Sequence, residues 1–191
     1  LLKIDGKGEG ILKITNVFDA VRDGTYEEFI NFYNGNINVI SESLGLNLLS
    51  LALVNDKNPN EKLKIINFLI SERIDINFRD KKDKRNALHV FYFNVLRPSG
   101  EYMLEVTKIL VRDGIDVNGV DKYNAIPLKY AITITKKATN DIKSIYKYLL
   151  EQGSNYNHKD IFEKSCLDYA NEYSWRNDFI EIIKEFEHGN K

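Results

Sequence analysis

The stretch DGIDVNGVDKYNAIPLKYA, residues 113–131, holds a helix stop, a turn and a helix start in one short span. Gly114 follows the apolar run VTKILV, at the place where a left-handed residue ends a helix at least steric cost. Pro127 sits where the next helix would open, since a first turn makes no use of the missing N–H. A span built this way is either a functional loop or a joint that recurs along the chain, and internal repetition decides between them.

It recurs. GLNLLSLAL (45–53), KRNALHVFY (84–92), NAIPLKYAI (124–132) and EKSCLDYAN (163–171) echo one another, and their leucines 49, 88, 128 and 167 lie 39, 40 and 39 residues apart. A second marker precedes the last three, as SERIDIN (71–77), RDGIDVN (112–118) and EQGSNYN (151–157), with YNGNIN (33–38) as a shorter relative. Its asparagines 38, 77, 118 and 157 are 39, 41 and 39 apart. Two independent markers keep one period, so the chain is an array.

Each unit carries its own helical signals. EEFINFY, LKIINFLI, VTKILV, IYKYLL and the closing FIEIIKEF place apolar residues at i, i+3, i+4 and i+7, one buried stripe per helix. Gly35, Gly114 and Gly153 stand just past three of these helices, while Arg73 holds that place in another, so that cap is strained or the ending differs. Asn47, Asn86 and Ser165 precede the leucines by two and serve as N-caps; Ile126 cannot.

The unit resembles the ankyrin repeat. Asp121, Pro127, Leu128, Ala131, Leu149, Leu150, Gly153 and Asn157 match that family's pattern in one unit. NALHVF supplies its Leu-His pair, LVRDGIDVN its closing segment, and FDAVRDGTYEEFINFYNGNINV resembles a first repeat with Asp23-Gly24-Thr25 as the inner turn. The resemblance implies an all-α, ankyrin-type helix-turn-helix solenoid with short hairpin-like turns between repeats. It covers residues 15–187 as a single domain, in units of about 15–40, 41–79, 80–119, 120–158 and 159–187, with tails at 1–14 and 188–191. One departure is systematic: the period exceeds the roughly 33 residues of the family. The extra residues lie in NDKNPNEK, NVLRPSGEY and TKKATND, and lengthen either the loops or the helices.

Composition narrows the function classes. A formal net charge of −1 gives no global attraction to nucleic acid or anionic membranes, so neither is expected as a partner. The single cysteine, Cys166, excludes an internal disulfide framework. No apolar run approaches the ~20 residues of a membrane span. Cytoplasmic placement is the expectation, with a removed N-terminal leader left open because the front lacks an initiator Met. Abundant Asn, Ile, Lys, Tyr and Phe with only 3 Pro point to AT-rich coding, as in a low-GC bacterium or a virus.

No catalytic constellation emerges. The resemblance makes His89 a structural histidine bonded across the repeat turn, His158 lies at a turn tip and His188 in a frayed tail, with no spacing that would gather them on a metal. Cys166 reads as a small residue at a helix start, with Asp168 beside it free to pair with polar neighbours. DGKGEG (5–10) lacks the context of a phosphate loop and reads as flexible tail, and DKKDKR (80–85) lacks the Gly and closing Glu of a Ca²⁺ loop. The expectation is a non-enzymatic, monomeric module with no cofactor, metal or small-molecule substrate.

What remains is a protein partner. The variable positions that the resemblance assigns to the concave face include Arg85, Phe93, Lys122, Tyr123, Phe162 and Tyr173, with Trp175 two positions on. Phe93, Tyr123, Phe162, Tyr173 and Trp175 are expected to form an aromatic row there, and aromatic rings dominate interface hot spots. The expected role is protein binding, narrowed to neutralising a cognate toxin or effector in a bacterium. The alternative is a regulatory or effector subunit whose catalytic part lies on another chain.

Overall fold

Helices begin where the sequence supplies a cap. In the computed structural model, described for residues 3–4, 10–11, 13–94 and 97–189, Asn16 accepts from the amides of Phe18 and Asp19 to open α1 (Val17–Asp23). Thr25, in a reciprocal box with Glu28, opens α2 (Tyr26–Phe32). Asn47, Asn86 and Ser165 accept from Ser50, His89 and Asp168, opening α3 (Leu48–Ala52), α5 (Ala87–Tyr92) and α9 (Cys166–Glu172). Pro127 is the first residue of α7 (Pro127–Thr133), whose Ile126 makes no cap bond. The second helices are α4 (Pro59–Ser71), α6 (Gly100–Arg112), α8 (Thr139–Glu151) and α10 (Asn177–Gly189), the last preceded by a 3₁₀ turn at Ser174–Arg176. The described residues therefore form five helix pairs.

The helix endings answer the question about Arg73. Gly35, Gly114 and Gly153 have φ of +86°, +90° and +84°, and Arg73 adopts the same left-handed region at +58°. The ending does not differ; a residue with a Cβ occupies it under strain. The extra residues per repeat go to both places. Links at 53–58, 93–99 and 134–138 leave the short first helices, and the inserted stretches then supply the opening turn of second helices 13 residues long. Residues 95 and 96 of NVLRPSGEY lie outside the described residues.

The chain divides into two compact units, Leu1–Ile74 and Asp75–Lys191. In the first, α1 packs on α2 and α3, and α4 packs on α2 and α3. Val21, Phe29, Leu48, Leu49, Leu51, Ile65, Ile66 and Leu69 are fully or almost fully buried there, each worth roughly 1.5–3 kcal/mol on leaving water. Tyr26, Phe29 and Tyr33 set their rings on Phe68, with centroids 5.3–6.0 Å apart. Residues 3–4 and 10–11 pair as short antiparallel strands, β1 (Lys3–Ile4) and β2 (Gly10–Ile11), with Lys3 opposite Ile11. Gly6 and Gly8 of DGKGEG lie outside the described residues.

In the second unit α5, α7 and α9 pack as one layer and α6, α8 and α10 as another. Leu88, Phe91, Val106, Leu110, Leu128, Ile132, Ile145, Leu149 and Phe179 fill the space between. Three buried hydroxyls in this core are satisfied: Tyr92 donates to Thr107 Oγ1 at 2.6 Å, Thr107 to the Met103 carbonyl, and Tyr146 to the Ala131 carbonyl. Gly100 opens α6 beneath the Asp141 carbonyl, where a Cβ would stand 1.8 Å from that oxygen; only glycine fits.

Candidate partner-binding surface

The turn tips of residues 75–191 are built on three buried aspartates. Asp121 Oδ1 accepts from the amides of Tyr123 (2.8 Å) and Ala125 (3.0 Å), and its Oδ2 accepts from the Tyr130 hydroxyl. Asp160 repeats the arrangement with Phe162 (2.8 Å) and the Tyr169 hydroxyl (2.6 Å). Asp80 accepts from the amides of Lys82, Asp83 and Arg85. Each tip passes through one left-handed residue, Lys84, Asn124 or Glu163, with φ of 54–60°.

Neighbouring tips are tied together. The Lys122 amide donates to the Asp83 carbonyl at 2.8 Å, and the Ile161 amide to the Tyr123 carbonyl at 2.9 Å. The asparagine markers found in the sequence form a second line of ties. Asn77 accepts from the Asp116 amide and donates to the Gly114 carbonyl; Asn118 does the same to Asn155 and Gly153. Histidines supply two more. His89 Nε2 donates to the Ala125 carbonyl at 2.8 Å while Nδ1 sits in the capping box with Asn86, and His158 Nε2 donates to the Asn124 carbonyl at 2.9 Å. Burial pushes His89 down to about 4, so the ring is neutral at pH 7.

The remaining candidates for chemistry are structural in their contacts. Cys166 is buried, and desolvation drives its thiol upward, the reverse of what a nucleophile needs. Asp168 closes a capping box, accepting from the Ser165 amide at 2.8 Å. His188, expected in a frayed tail, lies in the last turn of α10 with Nδ1 2.6 Å from the Lys184 carbonyl. Among the described residues no group of three or more His, Cys, Asp or Glu is placed to hold a metal ion. Among the same residues no helix is long and apolar enough to cross a membrane.

Residues 49–160 match the family model for ankyrin repeats, in three copies. The chain belongs to the ankyrin-repeat family. No curated protein matches it. Ankyrin repeats generally mediate protein–protein interaction, and such proteins are typically non-catalytic. The helix pairs α1–α2 and α9–α10 of this ankyrin-repeat chain fall outside the matched residues.

The seven candidate residues of the ankyrin array fall into local groups. Arg85 stacks on Phe93, its Cζ 4.0 Å from the ring centroid. Lys122 pairs with Asp83 at 2.6 Å and lies over the Tyr123 ring at 5.0 Å; the Asp83 bond holds its ammonium above the usual range. Tyr173 and Trp175 stack with centroids 4.6 Å apart. Phe162 is 60% exposed, Trp175 48% and Phe93 45%, while Tyr123 and Tyr173 are half-buried. Among the described residues no ring contact joins Tyr123 to Phe162 or Phe93, so the expected row is a set of separate pairs.

Lys129, Tyr130 and Tyr169, which the sequence did not single out, connect the ankyrin units together with Lys164, one of the variable positions that the resemblance assigns to the concave face. Arg85 also lies over the Tyr130 ring (5.3 Å), Lys129 over Tyr130 (4.6 Å) and Tyr169 (5.1 Å), and Lys164 over Tyr169 (5.6 Å). Phe93 meets Tyr130 edge-on at 5.6 Å. The signal was the repeated tyrosine in PLKYA and CLDYA, three residues after the first residue of each helix. Both residues are more than nine-tenths buried.

Proposed function

We propose that this ankyrin array binds a partner protein through the face made by its turn tips and first helices, the concave face of the family, in residues 75–191. One observation carries the reading: large rings stand exposed on tips whose backbone is already fixed. Phe162 is 60% exposed, yet its amide is held by Asp160 and the neighbouring Ile161 amide by the Tyr123 carbonyl. An exposed ring on an immobile mount loses little entropy on binding, which is how aromatic anchors gain affinity.

A partner captured from the source organism gives the test. Replacing Tyr123 and Phe162 together by Ala weakens that complex by more than ~2 kcal/mol while the thermal unfolding curve stays in place. Unchanged affinity in a folded double variant sinks the assignment of this face.

The narrower role is neutralisation of a cognate toxin or effector in a bacterium. It is supported by the Asn-, Ile- and Lys-rich composition, as in a low-GC bacterium. A neighbouring gene encoding a toxin whose activity this chain suppresses in a purified mixture supports it. A neighbour with no such activity refutes it and leaves protein binding standing.

A further inference from the structure

We propose that Arg85, Lys129 and Lys164, set between the rings of Phe93, Tyr130 and Tyr169, form a docking ladder for an extended acidic segment of the partner protein. The inference rests on the protein-binding reading above and names the chemistry of the partner. Its starting point is how the three cations are held. Each lies over one or two rings at 4.0–5.6 Å. A ring face attracts a cation but accepts no strong hydrogen bond, so it fixes the position of the charge without neutralising it.

The two buried carboxylates nearest the ladder are committed elsewhere. Asp121 and Asp160 accept from turn amides and from the hydroxyls of Tyr130 and Tyr169. Arg85 Nε lies 3.9 Å from Asp121 Oδ2, beyond hydrogen-bond reach, and its other contact, Nη1 to Asp83 Oδ2, is long at 3.4 Å. Lys164 pairs with Glu172 at 2.6 Å, a surface pair that a ligand carboxylate can exchange. Lys129 is the centre. Its ammonium is half-buried between two tyrosines and makes no hydrogen bond or ion pair among the described residues. Burial lowers its proton affinity, partly offset by Asp160 and Asp121. A half-desolvated ammonium with three unused donors gains most from a carboxylate brought by another chain.

The spacing selects an extended ligand. The cations stand on successive units, beside α5, on α7 and before α9, and these helices pack side by side. Packed helices lie about 8–10 Å apart, and an extended chain rises about 3.3 Å per residue. Acidic residues three apart therefore meet successive cations. Phe93, 45% exposed, supplies apolar contact for an intervening side chain, while the buried Tyr130 and Tyr169 hold the cations in place.

The experiment uses the full chain and a fluorescently labelled peptide in which glutamates recur at every third position with serine and glycine between. A glutamine version and a single-stranded oligothymidylate serve as controls. The glutamate peptide is expected to bind, more weakly as salt is raised. Lys129→Gln is expected to reduce that binding at least ten-fold with its unfolding transition retained, and the glutamine peptide is expected not to bind. Should Lys129→Gln fail to fold, Lys164→Gln, at a partly exposed position, is expected to lower affinity several-fold. Equal binding of the glutamine peptide, undiminished binding by the folded variants, or tighter binding of oligothymidylate would each overturn the proposal. If the peptide fails while the Tyr123/Phe162 variant still loses the natural partner, the acidic ligand is wrong and the protein-binding reading stands.

Discussion

The guanidinium of Arg176 donates through Nε to the Ile132 carbonyl at 2.8 Å, closing the C-terminal end of α7 from 44 residues away. Nη1 reaches the Lys137 carbonyl at 2.8 Å and Thr139 Oγ1 at 3.3 Å, and Nη2 reaches the Thr135 carbonyl. The side chain is completely buried. Its charge is matched by the negative end of a helix and by the carbonyls of the inserted link that follows it. Two other cations do the same work. Lys62 donates to the Val21 carbonyl at 2.6 Å at the end of α1, and Arg97 donates through Nε to the Phe91 carbonyl at 3.0 Å at the end of α5.

Arg176→Met should destabilise the protein by about 3 kcal/mol, because it leaves several inward-facing carbonyls without a donor. Arg176→Lys should recover only part of this, since one ammonium cannot reach three carbonyls in the fork geometry. Urea unfolding of the three proteins measures both. A loss below ~1 kcal/mol for the methionine variant would show that water takes over the cap.

Lys62 should make stability rise with pH in the alkaline range. Burial lowers its folded-state value from 10.5 to about 8, so between those values the unfolded chain holds a proton that the folded chain has released. Stability then increases from about pH 8 to about pH 10.5, by roughly 3 kcal/mol in total. The difference in unfolding free energy between the natural protein and Lys62→Met, followed from pH 7 to 10.5, isolates it. A flat difference contradicts it.

His89 acts at the other end of the scale. Its folded-state value falls from 6.5 to about 4, again because burial disfavours the charged ring. Its contribution is fully present above pH 6.5 and is lost as pH falls toward 4, by up to roughly 3 kcal/mol. His89→Gln, which retains a donor for the Ala125 carbonyl, should flatten the stability profile between pH 6.5 and 4. An unchanged profile would assign the acid sensitivity to other groups.

Arg73 and Glu163 hold left-handed backbone at φ of 58° and 60°. Replacing either by glycine removes a steric penalty of about 1 kcal/mol and returns part of it as unfolded-state entropy. Each variant should therefore be more stable by roughly 0.5 kcal/mol, a rise in melting temperature of about 1–2 °C. A fall in melting temperature would mean that contacts of the replaced side chains outweigh the strain.

The repeat architecture was legible from local signals because those signals act locally. A cap bonds an amide three residues on, as Asn86 does with His89, and a left-handed stop such as Gly114 concerns its own backbone; neither depends on distant packing. The regular asparagines were legible as markers, but their role was not. Asn77 and Asn118 bond the next unit's turn 35–39 residues away. A fixed period announces that units stack without saying which atoms meet.

The binding face divides along the same line. Exposed rings at turn tips, Phe162 above all, follow from position in the repeat. The grouping does not, because the separation of two tips is a distance between units. Only the tertiary structure sets Lys129 between Tyr130 and Tyr169, or turns Arg85 onto Phe93. The same holds for Lys62 and Arg176, which in the sequence are ordinary charged residues of a class almost always solvated. The sequence alone determined the array, its period, its caps and its turn tips, since each is a property of a few consecutive residues. Which cations are buried against carbonyls, and that Lys129 stands between rings without a carboxylate, was decided by the stacking of helices that lie far apart in the chain.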